Sequence, residues 1–133
     1  MNMVDKRVVI WGAGRIGRGL LADVFNAGGY HITFVDCATN LIEQLRVAGR
    51  YTAVRLEGAG RRTEQTIEGY TALTTDQADD LATALVAADV VAVAVFAPDF
   101  PAVAQQLAHY VMLRREKRPE APLDILVCAN LLR

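Results

Sequence analysis

Val8-Val9-Ile10-Trp11-Gly12-Ala13-Gly14-Arg15-Ile16-Gly17 is the stretch on which the reading of this chain turns. Four apolar residues in unbroken succession describe a strand buried on both faces, because a half-buried strand would alternate. Three glycines then interrupt the run. Gly12 permits a tight turn, Gly14 leaves bare backbone for a ligand to approach, and Gly17 lets the next helix lie close on the strand. A helix N-terminus presents unpaired N–H groups and a partial positive charge, which together suit a phosphate. His31-Ile32-Thr33-Phe34-Val35 reads as a second strand, and Asp36 stands at its tip, about 20 residues beyond the turn. A carboxylate there accepts hydrogen bonds from the hydroxyls of an adenosine ribose.

Strand, turn, helix, strand and acid in that order predict a dinucleotide site made of Gly12, Ala13, Gly14, Arg15, Ile16, Gly17 and Asp36. Asp36 would repel a 2′-phosphate. Cys37-Ala38-Thr39 follows it, with no arginine to hold one. The expected cofactor is therefore NAD rather than NADP. Arg15 either reaches over the pyrophosphate or faces solvent, and the residues alone leave both open.

Working outward, Ile16, Leu20, Leu21, Val24 and Phe25 predict one apolar helix face, closed by Gly28-Gly29. Thr39 or Asn40 is expected to cap a short helix carrying Leu41, Ile42 and Leu45, which Gly49 ends. Residues 51–75 break this rhythm. Tyr51 to Leu56 and Thr66 to Leu73 read as strands of an antiparallel excursion, with a turn at Gly58 to Arg62 and one arm available to the main sheet. Arg61-Arg62 reads as a solvated tip. Thr75 or Asp76 is expected to cap a helix with Leu81, Leu85 and Val86 inside. Val90 to Phe96 is a buried strand, ended by Ala97-Pro98. Pro101 suits the first turn of a helix whose basic end, Arg114 to Arg118, reads as solvated and complements the helix dipole. Leu123 to Cys128 is a last strand. Alternating strands and helices with short connections predict a doubly wound parallel sheet of order 3-2-1-4-5, in one domain.

Composition bounds the rest. The 133 residues carry a net charge of −1, with no basic excess to recruit nucleic acid or an anionic membrane. No apolar run approaches the ~20 residues needed to span a bilayer. Cys37 and Cys128 lie far apart at strand ends, as two reduced thiols of a cytoplasmic protein would. No metal-ligand cluster or catalytic triad is visible, and His31 and His109 stand alone. Hydrophobic residues reach 53% before glycine is counted, above the usual ~45–50% with glycine included. That surplus is consistent with a face covered by another domain or subunit.

The longer run Gly12 to Leu20, with Arg18-Gly19 after the third turn glycine, resembles the start of the mannitol dehydrogenase family of polyol-specific long-chain dehydrogenases. Phe34-Val35-Asp36, the excursion opening at Tyr51 after Gly49-Arg50, and Cys128-Ala129-Asn130-Leu131 extend the likeness through nearly the whole chain. The resemblance implies an NAD-dependent, zinc-independent oxidoreductase that interconverts a sugar alcohol, or its phosphate, with a ketose. It implies a following helical domain that supplies a lysine base and most substrate contacts, so that residues 1–133 are the cofactor-binding domain and bind NAD without turnover. It also places Asn130 near the reacting carbonyl, where an alternative is the cap of a next helix. Two positions depart from the family pattern: Ala129 replaces an acid, and after the fourth strand Phe96-Ala97 stands where the family commonly has a glycine near the cofactor. A uronate-type oxidoreductase of the same wider family and a stand-alone nucleotide-sensing module are the alternative functions.

Overall fold

The apolar run Val8–Trp11 becomes the central strand of the molecule. In the structure, a computed structural model that describes residues 5–128, β1 (Arg7–Trp11) pairs in parallel with β2 (His31–Asp36) on one side and β6 (Val90–Val93) on the other. β5 (Thr71–Thr74) extends the sheet beyond β2, and β7 (Asp124–Val127) extends it beyond β6. The spatial order β5-β2-β1-β6-β7 is the expected 3-2-1-4-5 arrangement. It reverses between β1 and β6, so the first half of the chain winds one way and the second half the other.

Period-two alternation sorts the strand residues into two cores. Val8, Ile10, Ile32 and Phe34 pack with Leu21, Phe25, Ile42 and Leu45 from the helical segment after the turn and from α2 (Thr39–Ala48). Val9, Trp11, Val35, Val91 and Val93 pack with Leu81, Leu85, Val103 and Leu107 from α3 (Ala78–Ala87) and α4 (Phe100–Lys117). The unbroken apolar strand runs thus reflect helices on both faces.

The antiparallel excursion is present, but its second arm is split into two strands. β3 (Arg50–Glu57) and β4 (Arg61–Glu68) make a separate antiparallel hairpin. The second arm then breaks at Gly69, whose φ of +72° turns the chain away. Thr71–Thr74 joins the main sheet in parallel. Tyr70 anchors the break: its ring packs on Phe34 and Tyr51, and its hydroxyl donates to the Leu45 carbonyl at 2.7 Å. Arg61 and Arg62 are exposed as expected, but they open β4, paired with Glu57 and Leu56, and the tip is residues 58–60.

Three other local expectations are corrected. Neither Thr39 nor Asn40 caps α2, which starts at Thr39 after Ala38. Neither Thr75 nor Asp76 caps α3. Gln77 precedes that helix, and its side-chain oxygen accepts the Thr74 N–H at 3.0 Å. The basic end of α4 is not all solvated, because Arg114 is only 3% exposed. Its guanidinium donates to the Leu85 and Val86 carbonyls at 3.0 and 2.5 Å, and to Pro122 at 3.2 Å. Arg118 joins at the Val86 carbonyl, 2.7 Å away. The two cations therefore close the C-terminus of α3, a different helix from their own, where unpaired carbonyls carry partial negative charge. Burial, then the Arg118 charge, lowers the pKa of Arg114 from its ordinary value, although an arginine so placed keeps its proton. Arg114→Met is expected to cost about 3 kcal/mol, since several carbonyls lose a charged donor at once. Urea unfolding measures this, and Arg114→Lys should recover part of the loss.

Candidate functional site

The glycine turn joins β1 to the helix behind it, and each glycine meets a different constraint. Gly12 has a φ of +108°, and its N–H donates to the Val35 carbonyl at 2.7 Å. A methyl group there would stand 2.3 Å from the Ala94 carbonyl oxygen. At Gly17 a methyl would stand 2.0 Å from the Gly12 carbonyl oxygen and 3.2 Å from Ile10 Cγ2. The helix therefore lies directly on the turn and the strand. Gly14 is exposed, with nothing within 4 Å of a methyl at that position. Close packing accounts for Gly12 and Gly17 but leaves Gly14 unexplained.

The helix after the turn opens with a π-helical stretch, Ile16–Leu21, and continues as α1 (Ala22–Ala27). Its rotation departs from the expected apolar face. Leu21 and Phe25 are buried, whereas Ile16, Leu20 and Val24 are 41%, 63% and 57% exposed. The close approach at Gly17 directs the 17-21-25 row at the sheet, so the adjacent 16-20-24 row turns outward. The hairpin braces this segment. Tyr51 donates to the Arg18 carbonyl at 2.7 Å, and Arg55 grips Asp23 with two hydrogen bonds of 2.8 and 2.9 Å. Burial, then the neighbouring Tyr70, raises the pKa of the Tyr51 phenol well above its ordinary value, so the hydroxyl remains a donor.

Asp36 ends β2 beside the turn. Its Oδ2 accepts the Ala13 N–H at 2.7 Å, and its Oδ1 accepts the Ala38 N–H at 2.8 Å. The carboxylate thus ties the first turn of the site to the start of α2. Each carboxylate oxygen has a further lone pair, and Asp36 is only half-buried. Gly12, Ala13, Gly14, Arg15, Ile16, Gly17 and Asp36 accordingly form one continuous rim at the carboxyl end of the sheet. Arg15 is exposed, and its side chain has no hydrogen-bond partner among the described residues. Asn130 and Ala129 lie outside the described residues.

The tether on Ala13 was not foreseen from sequence, and neither was the packing of Ala94 and Val95 on Gly12, although the resemblance places Phe96-Ala97 near the cofactor. Ala94 and Val95 form the far wall of the turn, and Phe96 follows at 84% exposure. The buried strand expected over Val90 to Phe96 ends at Val93, so Phe96 lies beyond it rather than in it. Elsewhere, Cys37 follows β2 and Cys128 follows β7, both as free thiols. His31 sits at the start of β2, far from the turn, where burial and Arg7 lower its pKa. No helix among the described residues is long and apolar enough to cross a membrane.

A parallel sheet whose order reverses beside a glycine-rich strand-to-helix turn, with an acid tipping the neighbouring strand, is a Rossmann domain. Residues 6–133 match the model of the mannitol dehydrogenase Rossmann domain, and the chain belongs to the mannitol dehydrogenase family. Among curated relatives, it is 31% identical over 122 residues to the mannitol-1-phosphate 5-dehydrogenase of Caldanaerobacter subterraneus, covering 92% of this chain and 31% of that protein. The enzymes of the same name from Enterococcus faecalis and Bacillus licheniformis are 32% and 35% identical over 125 and 123 residues. Those alignments cover 93% and 92% of this chain. The chain spans 32% of the length of each of these two relatives.

Proposed function

We propose that this chain is the NAD-binding domain of a longer oxidoreductase that interconverts a sugar alcohol, or its phosphate, with the corresponding ketose. The observation that carries the reading is the pairing of open backbone at Gly14 with a carboxylate held rigidly beside it. The exposed N–H groups of the first helical turn would hold the pyrophosphate, aided by the partial positive charge of the helix end. Asp36, already oriented by two backbone N–H groups, would accept the ribose hydroxyls on its remaining lone pairs. When bound, the nicotinamide supplies a hydride acceptor. The proton acceptor and most of the polyol contacts would come from protein outside these residues.

The exposed apolar surface supports a larger assembly. Ile125, Leu126 and Val127 of edge strand β7 are about half exposed, as is the 16-20-24 row. Large apolar surface of this kind marks a place covered in the working protein. The curated relatives, about three times as long, have chain enough to cover it. Asn130 is assigned to the substrate side of the nicotinamide, as an N–H donor to developing charge on the carbonyl oxygen. Two free thiols and modest net charge support a cytoplasmic location.

Calorimetric titration of the 133-residue chain tests the cofactor assignment. NAD is expected to bind, with NADP at least about tenfold weaker, because a 2′-phosphate would meet the Asp36 carboxylate at close range. Binding of NADP as tight as NAD would overturn the preference. Failure to bind NAD at millimolar concentration would sink the claim of a preformed site.

A further inference from the structure

Phe96 follows β6, on the opposite side of β1 from β2, the strand that Asp36 ends. The Ala94 N–H donates to the Trp11 carbonyl at 2.8 Å, which carries the β1–β6 pairing one residue past Val93. Val95 Cγ1 lies 3.1 Å from where a Gly12 Cβ would be. Phe96 is the next residue, before the chain turns into the short helical segment Ala97–Asp99. Phe96 therefore leaves the sheet at the carboxyl end of β6, one residue past the contact that Val95 makes with the turn. The strand order reverses between β1 and β6, and open α/β sheets take their ligands in the crevice at such a reversal. A ring that filled the crevice would be buried. At 84% exposure, Phe96 instead stands on the rim with most of its surface open to a partner.

We infer that Phe96 contacts the bound dinucleotide, its ring covering the nicotinamide-ribose half. The inference rests on the NAD reading above. Its direction follows from the strand order. Asp36 ends β2 on one side of β1, and Phe96 follows β6 on the other. With the phosphates over Gly14, the adenosine half extends toward Asp36 and the remaining half extends toward Phe96. A flat, uncharged ring suits that half, because aromatic faces stack on heteroaromatic bases and attract a cationic ring.

Titration of the 133-residue chain with NAD and with ADP, which lacks the nicotinamide-ribose half, separates the possibilities. Phe96→Ala is expected to weaken NAD about tenfold, the scale of one lost stacking contact. It should leave ADP binding and the thermal midpoint unchanged, and Phe96→Tyr should bind NAD as the wild type does. Unchanged NAD affinity in Phe96→Ala, an equal loss for ADP, or tighter NAD binding would each overturn the assignment, the last by showing that the ring obstructs the site. A wild-type chain that binds neither ligand defeats the NAD reading and this assignment with it. A wild-type chain that binds both, with an unaffected Phe96→Ala, defeats this assignment alone.

Discussion

Gly17→Ala is expected to lower the thermal midpoint of this chain by roughly 10 °C, whereas Gly14→Ala leaves it unchanged and weakens NAD binding instead. The difference is steric. A methyl at Gly17 would stand 2.0 Å from the Gly12 carbonyl oxygen, less than any real contact allows. The helix must then lift from β1, which disturbs the packing of Leu21 and Phe25. Overpacking with backbone displacement costs about 3 kcal/mol, and a domain of this size loses about 4 °C per kcal/mol. Gly12→Ala should be at least as damaging. It combines a 2.3 Å collision with the Ala94 carbonyl and a backbone φ of +108° that an L residue rarely adopts. Gly14 meets nothing within 4 Å, so alanine there costs the fold little. Its methyl would occupy the space through which a pyrophosphate reaches the backbone, and NAD affinity should fall about tenfold or more. Melting curves and titrations of the three variants read the two effects separately. Gly14→Ala that binds NAD normally would show that no ligand approaches the turn at that point.

Asp36→Ala is expected to weaken NAD about 100-fold and to lower stability by about 2 kcal/mol. The first figure follows from losing two hydrogen bonds from ribose hydroxyls to a charged acceptor, each worth about 1.5–3 kcal/mol before solvent screening. The second follows from the N–H groups of Ala13 and Ala38, which lose their shared acceptor. It is kept small because the Ala38 bond lies at the surface and the Ala13 bond is only part-buried. Asp36→Asn separates the two roles. Its one carboxamide oxygen can serve Ala13 or Ala38 but not both, so it should fall between wild type and Asp36→Ala in stability. Removing the charge should also raise NADP affinity relative to NAD in both variants. An Asp36→Ala chain that melts earlier but binds NAD as tightly would make the carboxylate a tether only.

Much of this could be read from the chain before its fold was known. Strands buried on both faces reveal themselves as unbroken apolar runs, and short connections with right-handed crossovers leave little choice of sheet order. The positions of Gly12, Gly14, Gly17 and Asp36 were legible for the same reason, since each is set by local geometry within one strand-turn-helix-strand unit. What was not legible depends on contacts between distant segments. Periodicity assigned Ile16, Leu20 and Val24 to the buried face, but the close approach at Gly17 rotated them outward. A basic helix end read as solvated, but Arg114 reaches carbonyls 29 residues earlier in the chain. One strand-like run from Thr66 to Leu73 became two strands because the Gly69 bend and the Tyr70 anchor send the second into the main sheet.

The sequence by itself determined the class of fold, the place of the turn and the acid that accompanies it, because these follow from residue order within a single unit. Only the tertiary structure decided that Asp36 is tied to Ala13 and Ala38, that Gly14 is the one turn glycine left open, and that Phe96 is exposed just past β6, on the other side of β1 from the strand that Asp36 ends. The reason is physical. Those relations form where β1, β2 and β6 come side by side, and residues far apart in the chain become neighbours only when the sheet closes.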